Sequence, residues 1–293
     1  MMHKAGFVNI IGNPNVGKST LMNRLVGEKL SIITPKAQTT RHRIIGIVNG
    51  DNYQIVLSDT PGIINPKYKL QESMMIQVKN AVSDADVILY MTDVIEKPDK
   101  QQDFITLLKG LDIPVIVLIN KIDLADLEGI QSLVEKWKGS LEKAEIYAIS
   151  ALHTFETNAF IQKLVDLLPE SPPYYPPDAL TDKSERFFVS EIIREKILIN
   201  FKQEIPYSVE IEIEEFKEQE NLLSIRSIIY VAKDSQKNII IGKNGSAIKN
   251  IGIIAREDIE KLYQKKVFLE LFVKVKKEWR NDQNQLKRFG YLN

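Results

Sequence analysis

The sequence contains no cysteine, which excludes disulfides and thiolate metal sites. Its three histidines, His3, His42 and His153, are scattered, with neither a Ser/His/Asp order nor a metal-ligand spacing among them. No apolar run approaches the roughly 20 residues that a transmembrane helix needs. The start, MMHKAGFVNII, passes directly into a strand pattern without a cleavage region, so a cytoplasmic chain is expected. Net charge is lacking as well, since 39 Lys and Arg balance 39 Asp and Glu. The balance is unevenly placed: from Asn221 onward 15 basic residues face 7 acidic ones, and the preceding 220 residues carry 24 against 32. A basic end suits a polyanionic partner, and a solvated Lys-rich face is the alternative.

What is present is enough apolar material for two cores, 44% of 293 residues. Residues 7 to about 168 alternate β-rich apolar runs (FVNIIG, RIIGIV, YQIVLSD, ADVILYMTD, IPVIVLIN, AEIYAIS) with helical patterns (ESMMIQVKNAVSD, QQDFITLLKGL, EGIQSLVEKWKG). That alternation predicts an α/β domain with a mostly parallel sheet. Leu168 to Leu180 then holds five prolines in thirteen residues, which disfavours both helix and sheet and predicts a semi-rigid linker. Beyond it, SERFFVSEIIREKILINF predicts a helix, YSVEIEIEEF and LLSIRSIIYVA strands, SAIKNIGIIAREDIEKLY a helix and VFLELFVKV a strand, a smaller α+β domain. The expected boundaries are 1–170, a linker at 171–181, and 182–293.

Four elements in the first domain carry chemistry. GNPNVGKST, Gly12 to Thr20, fits G-x-x-x-x-G-K-[ST] between a strand and a helix. Gly12 and Gly17 let the backbone of Asn13, Asn15 and Val16 turn its N–H groups towards phosphate oxygens; Lys18 reaches the β- and γ-phosphates, and Ser19 offers its hydroxyl to Mg²⁺. SDTPG sets Asp59 at a strand end to hold a magnesium-bound water, with the Gly62 N–H in reach of a γ-phosphate. LINKID supplies Asn120, Lys121 and Asp123, whose carboxylate can accept two hydrogen bonds from guanine N1 and N2. ISAL supplies Ser150 and Ala151, whose backbone can approach the base O6. Each element could be a mere strand end, but four in this order fall where open α/β sheets bind ligands.

These elements resemble those of the translation-factor-like GTPases. The resemblance implies a six-stranded P-loop GTPase domain, GTP and GDP as ligands, and hydrolysis with Mg²⁺. It also implies a threonine that meets the metal in the triphosphate state; KAQTTRHRI offers Thr39 and Thr40, and Thr40 is favoured. Lys18, Thr40 and Gly62 are thus the expected catalytic set, and Ser19, Thr40 and Asp59 the expected metal set. Ile63 stands where Ras-type proteins carry a water-orienting glutamine, so slow hydrolysis aided by other groups, a partner or K⁺ is expected. Asn15 matches the P-loop asparagine that helps coordinate K⁺ in some relatives; an asparagine tolerated in a tight loop is the alternative. Arg41 and Arg43 could stabilise phosphoryl charge, with solvated side chains the preferred reading.

The second domain holds another glycine loop, Gly242-Lys243-Asn244-Gly245, after what reads as an apolar strand, NIII, and before a helix. Its surroundings resemble the KH domain, whose GxxG loop clamps a single-stranded nucleic-acid backbone. Ile241, Gly242, Lys243, Asn244, Gly245 and Lys249 are the expected RNA-contacting set, and Lys237, Arg256, Lys274, Lys276 and Lys277 are further candidates. Ile240, Ile241 and Ile248 would floor an apolar groove or belong to the core. A GTPase domain followed by a type II KH domain, with QTTRHRI and ERFFVSEIIREKI, resembles the Era family of bacterial ribosome-assembly GTPases. That resemblance implies 16S rRNA near its 3′ end and the 30S subunit precursor as partners, and some peripheral contact with the inner membrane; a monomer is expected. The rival reading is an RNA-binding protein whose nucleotide domain senses GTP without hydrolysing it.

Overall fold

The computed structural model describes residues 2–96, 102–153 and 155–292. Gln101, the first residue of the helix expected over QQDFITLLKGL, lies outside them. The chain divides into two compact units: Met1–Ser31, Thr40–Asn65 and Met74–Asp182 form one, and Ile32–Thr39, Pro66–Ser73 and Lys183–Asn293 the other.

The first unit contains β1 (Lys4–Gly12), α1 (Lys18–Val26), β2 (Ile44–Gly50), β3 (Tyr53–Asp59), α2 (Lys69–Ser83, counted from Met74), β4 (Val87–Asp93), α3 (Gln102–Lys109), β5 (Val115–Asn120), α4 (Leu127–Ser140), β6 (Glu145–Ala148) and α5 (Thr157–Leu167). The strands run β2-β3-β1-β4-β5-β6, all parallel except β2 against β3. This is the six-stranded, mostly parallel sheet that the alternating pattern predicts. All seven residues of β4 are buried, as a strand covered on both faces requires. Ile11, Tyr90, Val117, Ile119, Phe104 and Trp137 share one cluster, and burying each large side chain contributes about 1.5–3 kcal/mol. The C-terminal ends of β1, β3 and β5 carry Gly12, Asp59 and Asn120, so the sheet itself gathers the motifs.

The proline-rich stretch is fastened along this unit. The Gln54 carboxamide receives the amides of Tyr174 and Tyr175 and donates to the Tyr175 carbonyl. The Asn49 amide donates to Pro177 O, Ile47 N to Leu180 O at 2.9 Å, and the Thr181 hydroxyl to Ile45 O at 2.6 Å.

In the second unit α6 (Glu185–Asn200), α7 (Ile205–Ser208), β7 (Glu210–Glu218), β8 (Leu222–Val231), α8 (Asp234–Ile241), α9 (Ser246–Tyr263), β9 (Lys266–Val275) and α10 (Gln283–Arg288) follow in order. The sheet runs β7-β8-β9, antiparallel then parallel. Val189, Ile193 and Ile197 recur every four residues on α6, as do Ile251, Ala255 and Ile259 on α9, and all are buried in one cluster. The run NIII is helical, not a strand: it closes α8, whose start is capped by Gln236 Oε1 accepting the amides of Ala232 and Lys233, both at 3.0 Å. After β9 the chain returns to the core, burying Trp279, whose indole N–H donates to Ser208 O at 3.0 Å. Among the described residues no helix is long and apolar enough to cross a membrane.

Candidate nucleotide and nucleic-acid sites

The loop from Gly12 to Lys18 joins β1 to α1, and its tight course depends on Gly17, at φ 105°. A Cβ there would lie 2.3 Å from the Asn120 amide nitrogen. Lys18 curls back over the loop, its Nζ donating to Gly12 O at 3.0 Å and Asn13 O at 2.8 Å. Burial pushes the Lys18 ammonium down to about 8, with Asp59 and Glu96 opposing. A phosphate entering the loop would supply the negative charge that this buried ammonium lacks. Thr20 sits half-buried in the first turn of α1.

Ser19, Thr40 and Asp59 come together. The Ser19 hydroxyl donates to Asp59 Oδ2 at 2.6 Å, Thr40 Oγ1 donates to the same oxygen at 3.2 Å, and the two hydroxyls lie 2.9 Å apart. Asp59 Oδ1 is buried without a hydrogen-bond partner. Burial pushes the Asp59 carboxyl up, with Lys18 and the Ser19 and Thr40 hydroxyls opposing. Two hydroxyls and a carboxylate with an unused oxygen make a hard-oxygen donor set that fits Mg²⁺. Thr39 is engaged elsewhere, its hydroxyl donating to Lys36 O at 2.7 Å and lying 2.6 Å from Thr34 Oγ1.

Gly62 closes against the loop: a Cβ on it would come within 2.7 Å of Pro14 N. Ile63 points away, 4% exposed and packed in the cluster with Tyr90 and Val117. Arg41 and Arg43 depart from the solvated reading. Arg41 is 1% exposed, while Arg43 grips Asp84, Ser58 Oγ (2.9 Å) and Asn9 Oδ1 (3.2 Å). Those carboxylate and amide acceptors fix Arg43 within the sheet.

The base-side residues interlock. Asn120 Nδ2 donates to Val16 O at 2.8 Å, and its Oδ1 accepts the Ala151 amide at 2.9 Å. Lys121, at φ 61°, sends Nζ to Asn15 O (2.7 Å) and Asp93 Oδ2 (2.5 Å). Asp123 Oδ1 accepts the Ser150 hydroxyl at 2.6 Å, and that bond holds the carboxyl below its usual range. An ionised carboxylate anchored by one oxygen at a loop edge can meet a paired donor. Sequence reasoning missed Asp93 and Glu96. Glu96 accepts the Asn13 carboxamide and the Thr92 hydroxyl (3.1 Å), and Asp93 was visible only as the acidic end of VILYMTD.

In the second unit Gly242 (φ 72°), Asn244 (φ 52°) and Gly245 (φ 76°) make a sharp turn that exposes Lys243 and Asn244 ahead of α9. A Cβ on Gly242 would come within 2.7 Å of Ala247 Cβ. Beside the turn lies a groove of ≈ 350 Å³ lined by Ile248, Lys249, Ile253, Arg256, Phe268 and Leu271, among others. Ile240 is core at 0% exposure and Ile241 half-buried, so of the three isoleucines only Ile248 lines the groove. Phe268, 54% exposed, was missed; its signal is an aromatic on the outward phase of KVFLELFVKV. A basic rim around an apolar floor with an exposed ring suits stacked bases and a phosphate backbone.

Comparisons with known proteins identify both domains. Residues 7–121 match the family model described as 50S ribosome-binding GTPase, and residues 204–280 that of the KH domain. The chain is 45% identical over 292 residues to GTPase Era of Staphylococcus haemolyticus (strain JCSC1435), covering 99% of this chain and 98% of that one. Two solved structures superpose with a TM-score of 0.94 at 40% identity, covering 99% of this chain and 100% of theirs. One is Era in complex with MgGDPNP and nucleotides 1506–1542 of 16S ribosomal RNA, the other a variant of Aquifex aeolicus Era bound to GDP.AlF4-.

Proposed function

The chain belongs to the Era family of GTPases, and from that premise we propose that it is a GTP-driven switch acting on small-subunit ribosomal RNA in 30S subunit assembly. The reading is carried by the meeting of Ser19, Thr40 and Asp59 beneath the phosphate loop. Bound Mg²⁺ would neutralise charge on the β- and γ-phosphate oxygens. Ser19, Thr40 and Asp59 would hold the ion, Lys18 and the loop amides would balance the remaining phosphate charge, and Gly62 would offer its N–H to the γ-phosphate. Asp123 would read guanine, with Ser150, Ala151, Asn120 and Lys121 fixing the surrounding loops. Ile63, turned into the core, offers the attacking water nothing, which fits slow intrinsic turnover.

The second unit supplies the RNA side. Gly242, Lys243, Asn244 and Gly245 would clamp the backbone, and the groove between Ile248 and Phe268 would take bases from the 3′ end of 16S rRNA. GTP binding would order the segments near Thr40 and Gly62 and so gate RNA binding. Potassium beside Asn15, a monomeric state and peripheral inner-membrane contact complete the proposal on family resemblance alone. Single-turnover phosphate release, with and without K⁺ and a 3′-end 16S RNA fragment, tests it. Release above the uncatalysed rate, altered by the RNA, is expected; an RNA that neither binds nor changes the rate would overturn the switch.

A further inference from the structure

The turn that carries Ser150 and Ala151 has little side-chain packing to hold it. Ala151 is buried, but Leu152 is 70% exposed and His153 is exposed as well. Hydrogen bonds to the backbone fix the turn instead. The Ala151 amide donates to Asn120 Oδ1 at 2.9 Å, and the His153 amide reaches Ser150 O at 3.3 Å. Arg24 of α1 adds a fork between two carbonyls: Nη1 donates to Ala151 O at 3.1 Å and Nη2 to His153 O at 3.2 Å. Arg24 lies in the last turn of α1, where a cation ordinarily serves the helix's own carbonyl ends. Gly27, at φ 83°, closes that end already, its amide donating to Asn23 O at 2.9 Å. The guanidinium reaches instead to a separate loop, 127 and 129 residues further along the chain.

An arginine fork is planar and its donors keep fixed directions, so two bonded carbonyls set the orientation of the turn between them. The Ala151 carbonyl shares a rigid trans peptide plane with the Leu152 N–H, and the two point in opposite directions. Holding the carbonyl towards Arg24 therefore aims the Leu152 N–H away from the guanidinium, and that N–H has no acceptor among the described residues. The Ala151 N–H is taken by Asn120, so Leu152 supplies the turn's available donor. Helix α1 also begins at Lys18 and Ser19, so one helix of nine residues joins the phosphate loop to this turn. We propose that Arg24 is a positioning residue for guanine recognition, acting through the Ala151 carbonyl to present the Leu152 N–H to the base oxygen O6. This rests on the reading of the turn at Ser150 and Ala151 as the part of the site that meets O6.

The test uses the full chain with Arg24→Met, and with Arg24→Lys, which keeps the charge without the planar fork. Calorimetry at fixed Mg²⁺ measures the binding of three diphosphates. GDP is compared with 6-thio-GDP, which keeps the N1 and N2 donors but presents sulfur, a weaker acceptor, at position 6. It is also compared with IDP, which keeps O6 but lacks the 2-amino group. The wild type should prefer GDP to 6-thio-GDP by about tenfold, the worth of one good hydrogen bond. Arg24→Met should weaken GDP binding by about tenfold, leave 6-thio-GDP nearly unchanged and so erase that preference. The GDP-to-IDP ratio, which Asp123 would set, should stay at its wild-type value. Arg24→Lys should fall between, and it decides the matter should Arg24→Met not fold. Equal weakening of GDP and 6-thio-GDP, a GDP-to-IDP ratio that falls in step, or a preference intact in both variants would overturn the proposal. If the wild type itself binds GDP and 6-thio-GDP alike, the O6 reading of the turn fails and the proposal falls with it.

Discussion

The amide of Ile63 donates to the carbonyl oxygen of Gly12 at 3.1 Å, while the side chain of Ile63 lies in the core with Tyr90 and Val117. The backbone at this position belongs to the phosphate loop and the side chain to the fold. Ile63→Gln is therefore expected to leave hydrolysis unimproved and to cost about 1–3 kcal/mol in stability, by placing a carboxamide among apolar groups. Urea midpoints and single-turnover phosphate release check both halves. An acceleration of about tenfold would mean that the new side chain turns outward and orients water.

Asp123→Asn should weaken GTP binding by about 100-fold, since one carboxylate acceptor becomes a donor facing guanine N1 or N2. Xanthosine triphosphate, which offers the complementary acceptor, should bind in its place. Titration of fluorescent nucleotides at fixed Mg²⁺ reads both, and unchanged GTP affinity would remove Asp123 from the base-reading role.

Much of the first unit was legible because its signals are local. A glycine loop between strand and helix, and acidic or amide residues at strand ends, need no knowledge of packing to be placed. Asn120 was legible as a motif residue but its work was not: it ties Val16 to Ala151, residues far apart in sequence. The NIII run misled because consecutive isoleucines suit strand and helix alike, and the deciding contact, Gln236 capping α8, is made by a side chain. Arg43 also turns on a distant partner, Asp84, which no short-range pattern announces. The buried return of Trp279 was signalled only by aromatics in a charged tail.

Phe268→Ala should lower affinity for single-stranded RNA by an amount equivalent to losing one base–aromatic stack, about 1–3 kcal/mol. Nucleotide hydrolysis without RNA should be unchanged. Replacing Lys243 and Asn244 by aspartates should weaken RNA binding more severely and flatten its salt dependence, because those positions face the backbone phosphates. Filter binding across a salt series separates the two, and an unaltered affinity in the aspartate variant would reduce the glycine turn to a structural feature.

Lys196 of α6 pairs with Asp258 of α9. Burial opposes charge on both, yet the pair prevails: Lys196 is raised by Asp258 and Glu195, and Asp258 is lowered by Lys196 and Lys261. A depressed carboxyl stabilises the fold above its unfolded pKa, 3.8, and loses that effect as pH falls through the folded value. A raised amine stabilises it below 10.5 and loses that effect as pH rises through the folded value. The stability gap between the wild type and Asp258→Asn should therefore be wide at pH 7 and narrow near pH 3. Trp279 fluorescence, in a Trp137→Phe background, reports the unfolding of this unit alone.

The bonds from Leu180 and Thr181 to β2 settle where this protein can be cut. Strand β2 ends the sheet order, and its Ile47 N–H and Ile45 C=O are taken by Leu180 and Thr181. A shortened chain stopping near residue 170 would bare that strand to other copies of itself, whereas one extending through Thr181 would keep it covered by residues whose prolines cannot recruit a further strand. Leu180 and Thr181 thus act as a selvedge, finishing the sheet where it would otherwise fray.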